Sequence, residues 1–192
     1  MYLEPLWERY LANDETIYKN ASLYLLVDIK TSALKTYKIL ETLLNKYKPM
    51  LTHVTSDSLK KGALTIILSG NRPPINYFDS YKYRNVFIDG RLSDIGKGVS
   101  YKIMPLISSD WDQTFEWEGI GVLPEFQQNT LFDLVSSVHN EQKEIRFWGS
   151  PDNQNTWETL LLSGTDLINT DSIEKCRKFI IQKKYQKDTI NE

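Results

Sequence analysis

The chain is poor in the residues that carry nucleophilic and acid–base chemistry. Its 192 residues include one cysteine, Cys176, and two histidines, His53 and His139. One cysteine excludes an intrachain disulfide framework and a thiolate zinc cluster. No apolar run approaches the ~20 residues of a membrane span. Residues 1–7 show neither a basic start nor a long apolar stretch, so no signal peptide is read there and the compartment stays open. There is no Walker-type phosphate loop. Gly90, Gly96 and Gly98 have neither the spacing nor the strand context of a dinucleotide fingerprint. No serine sits in a Gly-x-Ser-x-Gly elbow. Charge of one sign is missing too: 23 Lys and Arg face 25 Asp and Glu, a formal net charge of -2. That balance gives no electrostatic argument for nucleic acid or an anionic membrane.

What is present is a hydrophobic fraction of 41% and a charged fraction of 25%, the composition of an ordinary globular protein. The length fits one domain spanning residues 1–192. The 5 Trp and 11 Tyr belong mainly in a core. Along the chain, apolar runs at residues 23–30, 64–68, 85–88, 103–107, 144–148 and 166–171 read as strands. The first, Leu23-Tyr24-Leu25-Leu26-Val27-Asp28-Ile29-Lys30, is apolar enough for burial on both faces, as in a parallel sheet. Helical stripes fall over residues 32–47, 124–142 and 157–163, and from Ser172 onward. Ser32 is placed as a cap and Gly164 as a helix stop. Phe126, Leu131, Leu134, Val135 and Val138 are expected to point inward from the second of these helices, and Ile173, Cys176, Phe179 and Ile180 from the last. Its Lys-rich tail is read as solvated. Residues 2–10 read as a loop or a single helical turn. The alternation predicts an α/β fold with a parallel sheet.

Each strand ends in polar residues: Asp28/Lys30, Ser69/Asn71/Arg72, Asp89/Arg91, Ser108/Asp110/Trp111, Trp148/Asp152 and Asn169/Asp171. Parallel α/β folds place their chemistry at this end of the strands. Lys30, Arg72 and Arg91 suit an anionic group, since arginine grips phosphate bidentately and lysine acts as a point charge. Asp28, Asp89, Asp110 and Asp171 suit a cation or a sugar hydroxyl. Asp28 and Lys30, two apart on one strand, share a face. They can form either a site or a plain ion pair closing the strand. His53 and His139 fall away from these ends and are read as structural or surface residues.

In these motifs the chain resembles a known family. Leu26-Val27-Asp28-Ile29-Lys30, Ile67-Leu68-Ser69-Gly70-Asn71-Arg72-Pro73, Phe87-Ile88-Asp89-Gly90-Arg91, Met104-Pro105-Leu106-Ile107-Ser108, Arg146-Phe147-Trp148-x-x-Pro151-Asp152 and Leu167-Ile168-Asn169-Thr170-Asp171 look like the phosphatidylinositol-specific phospholipase C/glycerophosphodiester phosphodiesterase superfamily. Within it, they are most similar to the branch of the fungal altered-inheritance-of-mitochondria phosphodiesterase-like proteins. The resemblance runs from about residue 1 to residue 171. It implies a (β/α)8, TIM-barrel-like fold and phosphodiester hydrolysis or cyclising transfer, often with Ca2+ or Mg2+. It also implies a glycerophosphodiester or phosphoinositide-type substrate, either a small molecule or a lipid headgroup. By the same analogy Asp28 takes the place of a metal-binding acid, Lys30 sits against the phosphate and Trp148 walls the pocket. Asp89 and Arg91 fall where this branch repeats its Asp-Gly-Arg pattern.

The departure from the family is large. Its His-Asn motif, its acid-x-acid motif and the catalytic histidine that follows have no match here. The counterparts of the chain's strands are the third to eighth, so the barrel is expected to be incomplete, with six of eight strands. Two readings follow. One makes the chain the phosphate- and metal-facing C-terminal portion of a longer phosphodiesterase, inactive alone. The other makes it a non-catalytic protein that binds a phosphate ester or sugar and completes its barrel with a partner chain.

Overall fold

The computed structural model describes residues 2–56, 58–78 and 81–190, with side chains described through Lys183. Six parallel strands alternate with α-helices, 3₁₀ turns or loops along the chain, in the order of an incomplete TIM-like barrel. They divide between two compact units. One comprises Met1–Gly90 with Val99–Pro105, the other Arg91–Gly98 with Leu106–Glu192.

The first unit runs α1 (Leu3–Ala12), β1 (Leu23–Ile29), α2 (Ala33–Leu44), β2 (His53–Thr55), β3 (Leu59–Lys60), β4 (Leu64–Gly70), β5 (Tyr83–Arg84) and β6 (Val86–Gly90). β1 pairs in parallel with β4 along its whole length, from Leu23 opposite Leu64 to Ile29 opposite Gly70, and β4 pairs with β6. β4 is buried through Leu68 and β6 throughout. β1 departs from expectation, because most of its side chains are only half-buried. It stands at the end of the strand order, with β4 as its neighbour, and a strand in that position is covered less fully than a central one.

Residues 3–12 form a ten-residue helix where the sequence suggested a loop or one turn. Pro5 is compatible with it, since a first-turn N–H has no partner to lose. The helix is held from outside. Trp7 stacks on Tyr10 with ring centroids 5.4 Å apart and meets Tyr47 edge-on. Glu4 Oε2 accepts from Lys46 Nζ and Tyr47 Oη, each at 2.6 Å, and these bonds hold its carboxyl below the ordinary range. α2 ends at Leu44 and tightens into a 3₁₀ turn, Asn45–Met50, that contains Pro49. A small antiparallel sheet of order β3-β2-β5 is an element the apolar pattern did not announce, its strands being only two or three residues long.

Arg84, at the end of β5, is buried. Its Nη1 donates to the Val86 carbonyl at 2.6 Å and its Nη2 to that of Lys102 at 2.5 Å, and the guanidinium lies over the rings of Phe78 and Phe87. Burial pulls its pKa down to about 10, so it stays charged at neutral pH.

The second unit runs β7 (Leu106–Asp110), α3 (Glu125–Asn140), β8 (Glu144–Trp148), α4 (Gln154–Ser163), β9 (Leu167–Ile168) and α5 (Ile173–Ile190), with β7, β8 and β9 paired in parallel. β7 begins after Pro105 and not at Ile103, which removes the conflict of a proline inside a strand. α3 buries Leu131, Val135 and Val138 as expected and leaves Leu134 half-buried, but Phe126 is 67% exposed and Gln127 is buried in its place. Gln127 is drawn inward because its Oε1 accepts from the backbone N–H groups of Glu116 and Trp117. α4 stops at Gly164, whose φ of 83° suits the left-handed stop expected there. Cys176 and Phe179 of α5 are buried as expected, against Trp157, but Ile173 and Ile180 are exposed. The Lys-rich tail from residue 184 on lies outside the residues whose side chains are described. Among the described residues no helix is long and apolar enough to cross a membrane.

Arg84→Met keeps the apolar length of the side chain but leaves two carbonyls without their donor. Chemical denaturation is expected to show a loss of about 2 to 4 kcal/mol. An unchanged unfolding midpoint would show that those bonds are dispensable.

Candidate functional site

Side chains alternate across a strand, and the β1–β4 register makes Asp28 and Ser69 neighbours on one face. Leu25 and Val27 occupy the other face, around an apolar space shared with Leu40 and Leu44 of α2. Asp28 and Lys30 do project together: Lys30 Nζ lies 2.7 Å from Asp28 Oδ2, with the two side chains 79% and 51% exposed. An ion pair this open is worth about 0 to 1 kcal/mol, so either partner can be exchanged for another ion.

Next to it, Ser69 Oγ donates to Asp89 Oδ2 at 2.6 Å. Asp89 is buried at the end of β6, and Arg72 reaches over from the loop after β4 to donate from Nη1 to the Asp89 carbonyl. The turn that allows this is made at Gly70. Its φ is +67°, and a Cβ there would come within 2.2 Å of Asp28 Oδ1 and 2.6 Å of the Ile29 carbonyl. The following Asn71 ties the two loops together. Its N–H donates to the Ile29 carbonyl and its Nδ2 to that of Thr31. Four of the six residues predicted from sequence, Asp28, Lys30, Arg72 and Asp89, are thereby gathered at the C-terminal ends of β1, β4 and β6.

Arg91 and Trp148 belong to the second unit. Arg91 opens a 3₁₀ turn, where its N–H donates to Asp94 Oδ2 at 2.8 Å. Trp148 ends β8 opposite Asp110 of β7, 42% exposed, with its carbonyl accepting from the Trp111 N–H. Two positions earlier on the same strand face, Arg146 Nε donates at 2.9 Å to Ser108 Oγ, which is buried. Arg146 was not among the residues singled out by the sequence reading. The signal was an arginine two residues before Trp148 in a strand that otherwise alternates with buried Ile145 and Phe147.

Other polar strand exits serve the fold. Trp111 is fully buried and donates from Nε1 to the Trp117 carbonyl at 3.0 Å. Asp152 accepts from Trp157 Nε1, Thr170 Oγ1 and the backbone N–H groups of Asp171 and Ser172. Burial pushes its pKa up, but these hydrogen bonds outweigh that and hold it below the usual carboxylate value. Both histidines are likewise engaged elsewhere. His53 stacks on Tyr83 in the small antiparallel sheet, and His139 Nε2 lies 2.9 Å from Asp166 Oδ2.

Residues 12–89 match the AIM6-like phosphodiesterase domain. The matched segment takes in the whole Asp28–Lys30–Ser69–Arg72–Asp89 group, and the resemblance read from the strand ends holds there; Arg91 and Trp148 lie beyond it. No curated protein and no solved structure gives a match. Among its described residues the matched segment holds no ready cation site. Ca2+ and Mg2+ take six or more oxygen ligands. Asp28 offers one carboxylate already engaged by Lys30, and among the described residues no group of three or more His, Cys, Asp or Glu is placed to hold a metal. These residues do not by themselves fit a bound ion.

Gly70→Ala is expected to cost about 2 kcal/mol or more in a denaturant titration, from the left-handed φ and the clash with the Ile29 carbonyl. A wild-type midpoint would show that the turn relaxes freely. For Asp152, a carboxyl whose folded pKa lies below its unfolded one stabilises the fold above the unfolded pKa. That contribution fades as the pH falls through the folded value. Asp152→Asn should therefore be less stable than wild type at pH 7, by about a few tenths of a kcal/mol once solvent screening is allowed for, with the gap closing as the pH drops below about 4. A gap that stays constant with pH would rule out the charge as its source.

Proposed function

We propose that the Asp28–Lys30–Ser69–Arg72–Asp89 group is the phosphate-facing part of a phosphodiesterase-type site that takes a glycerophosphodiester or phosphoinositide-type ester. The observation that carries this is the gathering of those side chains at the C-terminal ends of β1, β4 and β6, inside the matched segment. Lys30 meets the phosphate by exchanging the Asp28 carboxylate for a phosphoryl oxygen, which the weak, exposed pairing permits. Arg72, anchored on the Asp89 carbonyl, offers a positioned guanidinium to the same anion. Both act by orienting the ester and offsetting charge as it develops on the phosphoryl group. In the second unit, Arg91 and the exposed face of Trp148 are the corresponding candidates for phosphate and for a pocket wall. Asp28 contributes at most one ligand to a Ca2+ or Mg2+ whose other ligands come from elsewhere.

No histidine stands in this group to act as general acid or base, because His53 and His139 are engaged in other contacts. In this reading the acid–base residues lie outside these 192 residues, and the chain alone turns over almost nothing. The same observation favours a second reading, in which the chain binds a phosphate ester or sugar without cleaving it and completes its barrel with a partner chain. Light scattering bears on that one: a stable, ligand-free monomer speaks against partner completion.

The first test is hydrolysis of a chromogenic phosphodiester by residues 1–192, expected at the buffer rate with and without Mg2+ or Ca2+. Robust turnover would mean that the catalytic groups have been misplaced. The second is calorimetry with glycerol phosphate. Lys30→Ala should weaken binding about tenfold, the loss of one charge-assisted contact of about 1.4 kcal/mol. Equal affinity in wild type and variant would remove Lys30 from the site.

A further inference from the structure

The second unit carries an exposed apolar surface on the loop between β7 and α3. The loop between β7 and α3 exposes Ile120 at 79% and Val122 at 91%, and Phe126 follows in the first turn of α3. Beside them, α3 and α4 enclose an open groove of about 240 Å3 whose apolar lining includes Val122, Leu131, Phe132 and Leu162. The loop's backbone is held in place by side chains. Asn155 Nδ2 donates to the carbonyls of Gly119 at 3.0 Å and Gly121 at 2.7 Å, while Trp117 Nε1 donates to that of Ile120 at 2.9 Å. Gly119 is locked as well, since a Cβ there would lie 2.5 Å from both Asn153 Nδ2 and Thr156 Oγ1. A loop fastened at three consecutive carbonyls presents its aliphatic side chains to solvent without losing order on binding, which lowers the entropic cost of a contact.

On the α4 wall the groove-lining Glu158 is paired with Lys183 Nζ at 2.5 Å, whereas the segment that carries the loop and α3 is acidic. Residues 106–142 contain seven carboxylates, Asp110, Asp112, Glu116, Glu118, Glu125, Asp133 and Glu141, and no lysine or arginine. Asp112, Glu116, Glu118, Glu125 and Asp133 are exposed. In a chain whose formal net charge is only -2, this segment concentrates negative charge beside the apolar groove. Such a field repels anionic lipid headgroups and steers cationic partners.

We infer that the α3–α4 groove, with the Ile120–Val122 loop at its rim, is a docking surface for a basic amphipathic helix of another protein. The apolar side chains of that helix fill the groove, and its lysines and arginines meet the surrounding carboxylates. A helix seated in an apolar groove is a recurrent recognition mode, read through anchors on one helical face.

The test uses the full chain and two labelled peptides with the same leucine pattern, one carrying lysine and the other glutamate at the polar positions, followed by fluorescence anisotropy. The lysine peptide is expected to bind saturably, about tenfold more weakly in about 0.5 M than in about 0.05 M salt, and the glutamate peptide not at all. Val122→Asp should abolish binding while leaving the thermal unfolding midpoint unchanged, as a 91% exposed side chain allows. The Glu118→Lys/Glu125→Lys double variant, which leaves the groove intact, should weaken binding about tenfold. Four results would overturn the inference: no binding of the lysine peptide, equal binding of both peptides, binding indifferent to these substitutions, or a dimer or vesicle-bound form that Val122→Asp disperses. The last would assign the surface to a second copy or to lipid.

Discussion

The parallel pairing of β1 with β4 is the constraint on which the candidate site depends. Because side chains alternate, the register that sends Leu25 and Val27 toward α2 also sends Asp28 to the opposite face, beside Ser69. A slip of one residue would bury Asp28 among the leucines of α2 and turn those apolar side chains to the polar face. The burial of apolar surface on the helix side thus fixes the position of the charges on the other. Gly70 completes the constraint: only a residue without a Cβ fits between Asp28 and the Ile29 carbonyl at that turn.

Within this frame the strand-end polar residues differ in what they have left to offer. Asp28 and Lys30 hold each other in an exposed pair that water and a third ion can enter. Asp152 stands at a comparable place in its own unit, yet its two oxygens accept from four donors, and it serves to tie the start of α4 to the approach to α5. Trp111 and Trp148 are both tryptophans at the exits of β7 and β8, and one is fully buried while the other shows much of its ring. Polarity or aromaticity at a strand exit is therefore not sufficient for a site. What matters is whether hydrogen-bonding capacity and surface remain after the fold has taken its share.

Histidine is where the resemblance and the chemistry part. A phosphodiesterase-type mechanism needs a proton acceptor and donor at the ester, and the two histidines here are held by Tyr83 and by Asp166. The group at β1, β4 and β6 can bind and orient an anion, which is a separable part of catalysis with its own energetic weight. The acidic, apolar surface lies in the second unit, and that group in the first. It neither supports nor weakens the phosphodiesterase reading.

The sequence by itself determined the α/β order, the positions of β4 and β8, the stop at Gly164 and the sharing of a face by Asp28 and Lys30, because each is encoded in local period and spacing. It did not determine that residues 3–12 are helical, since that rests on Glu4 and Trp7 meeting Lys46 and Tyr47 some forty residues on. Nor could it rank Gln127 over Phe126 as the inward residue, because hydrophobicity argues the other way and two distant backbone N–H groups decide it. The half-burial of β1, the saturation of Asp152 and the embrace of Asp89 by Ser69 and Arg72 were likewise settled only by tertiary structure. Local pattern specifies which face a side chain takes; the partner waiting on that face is a long-range fact.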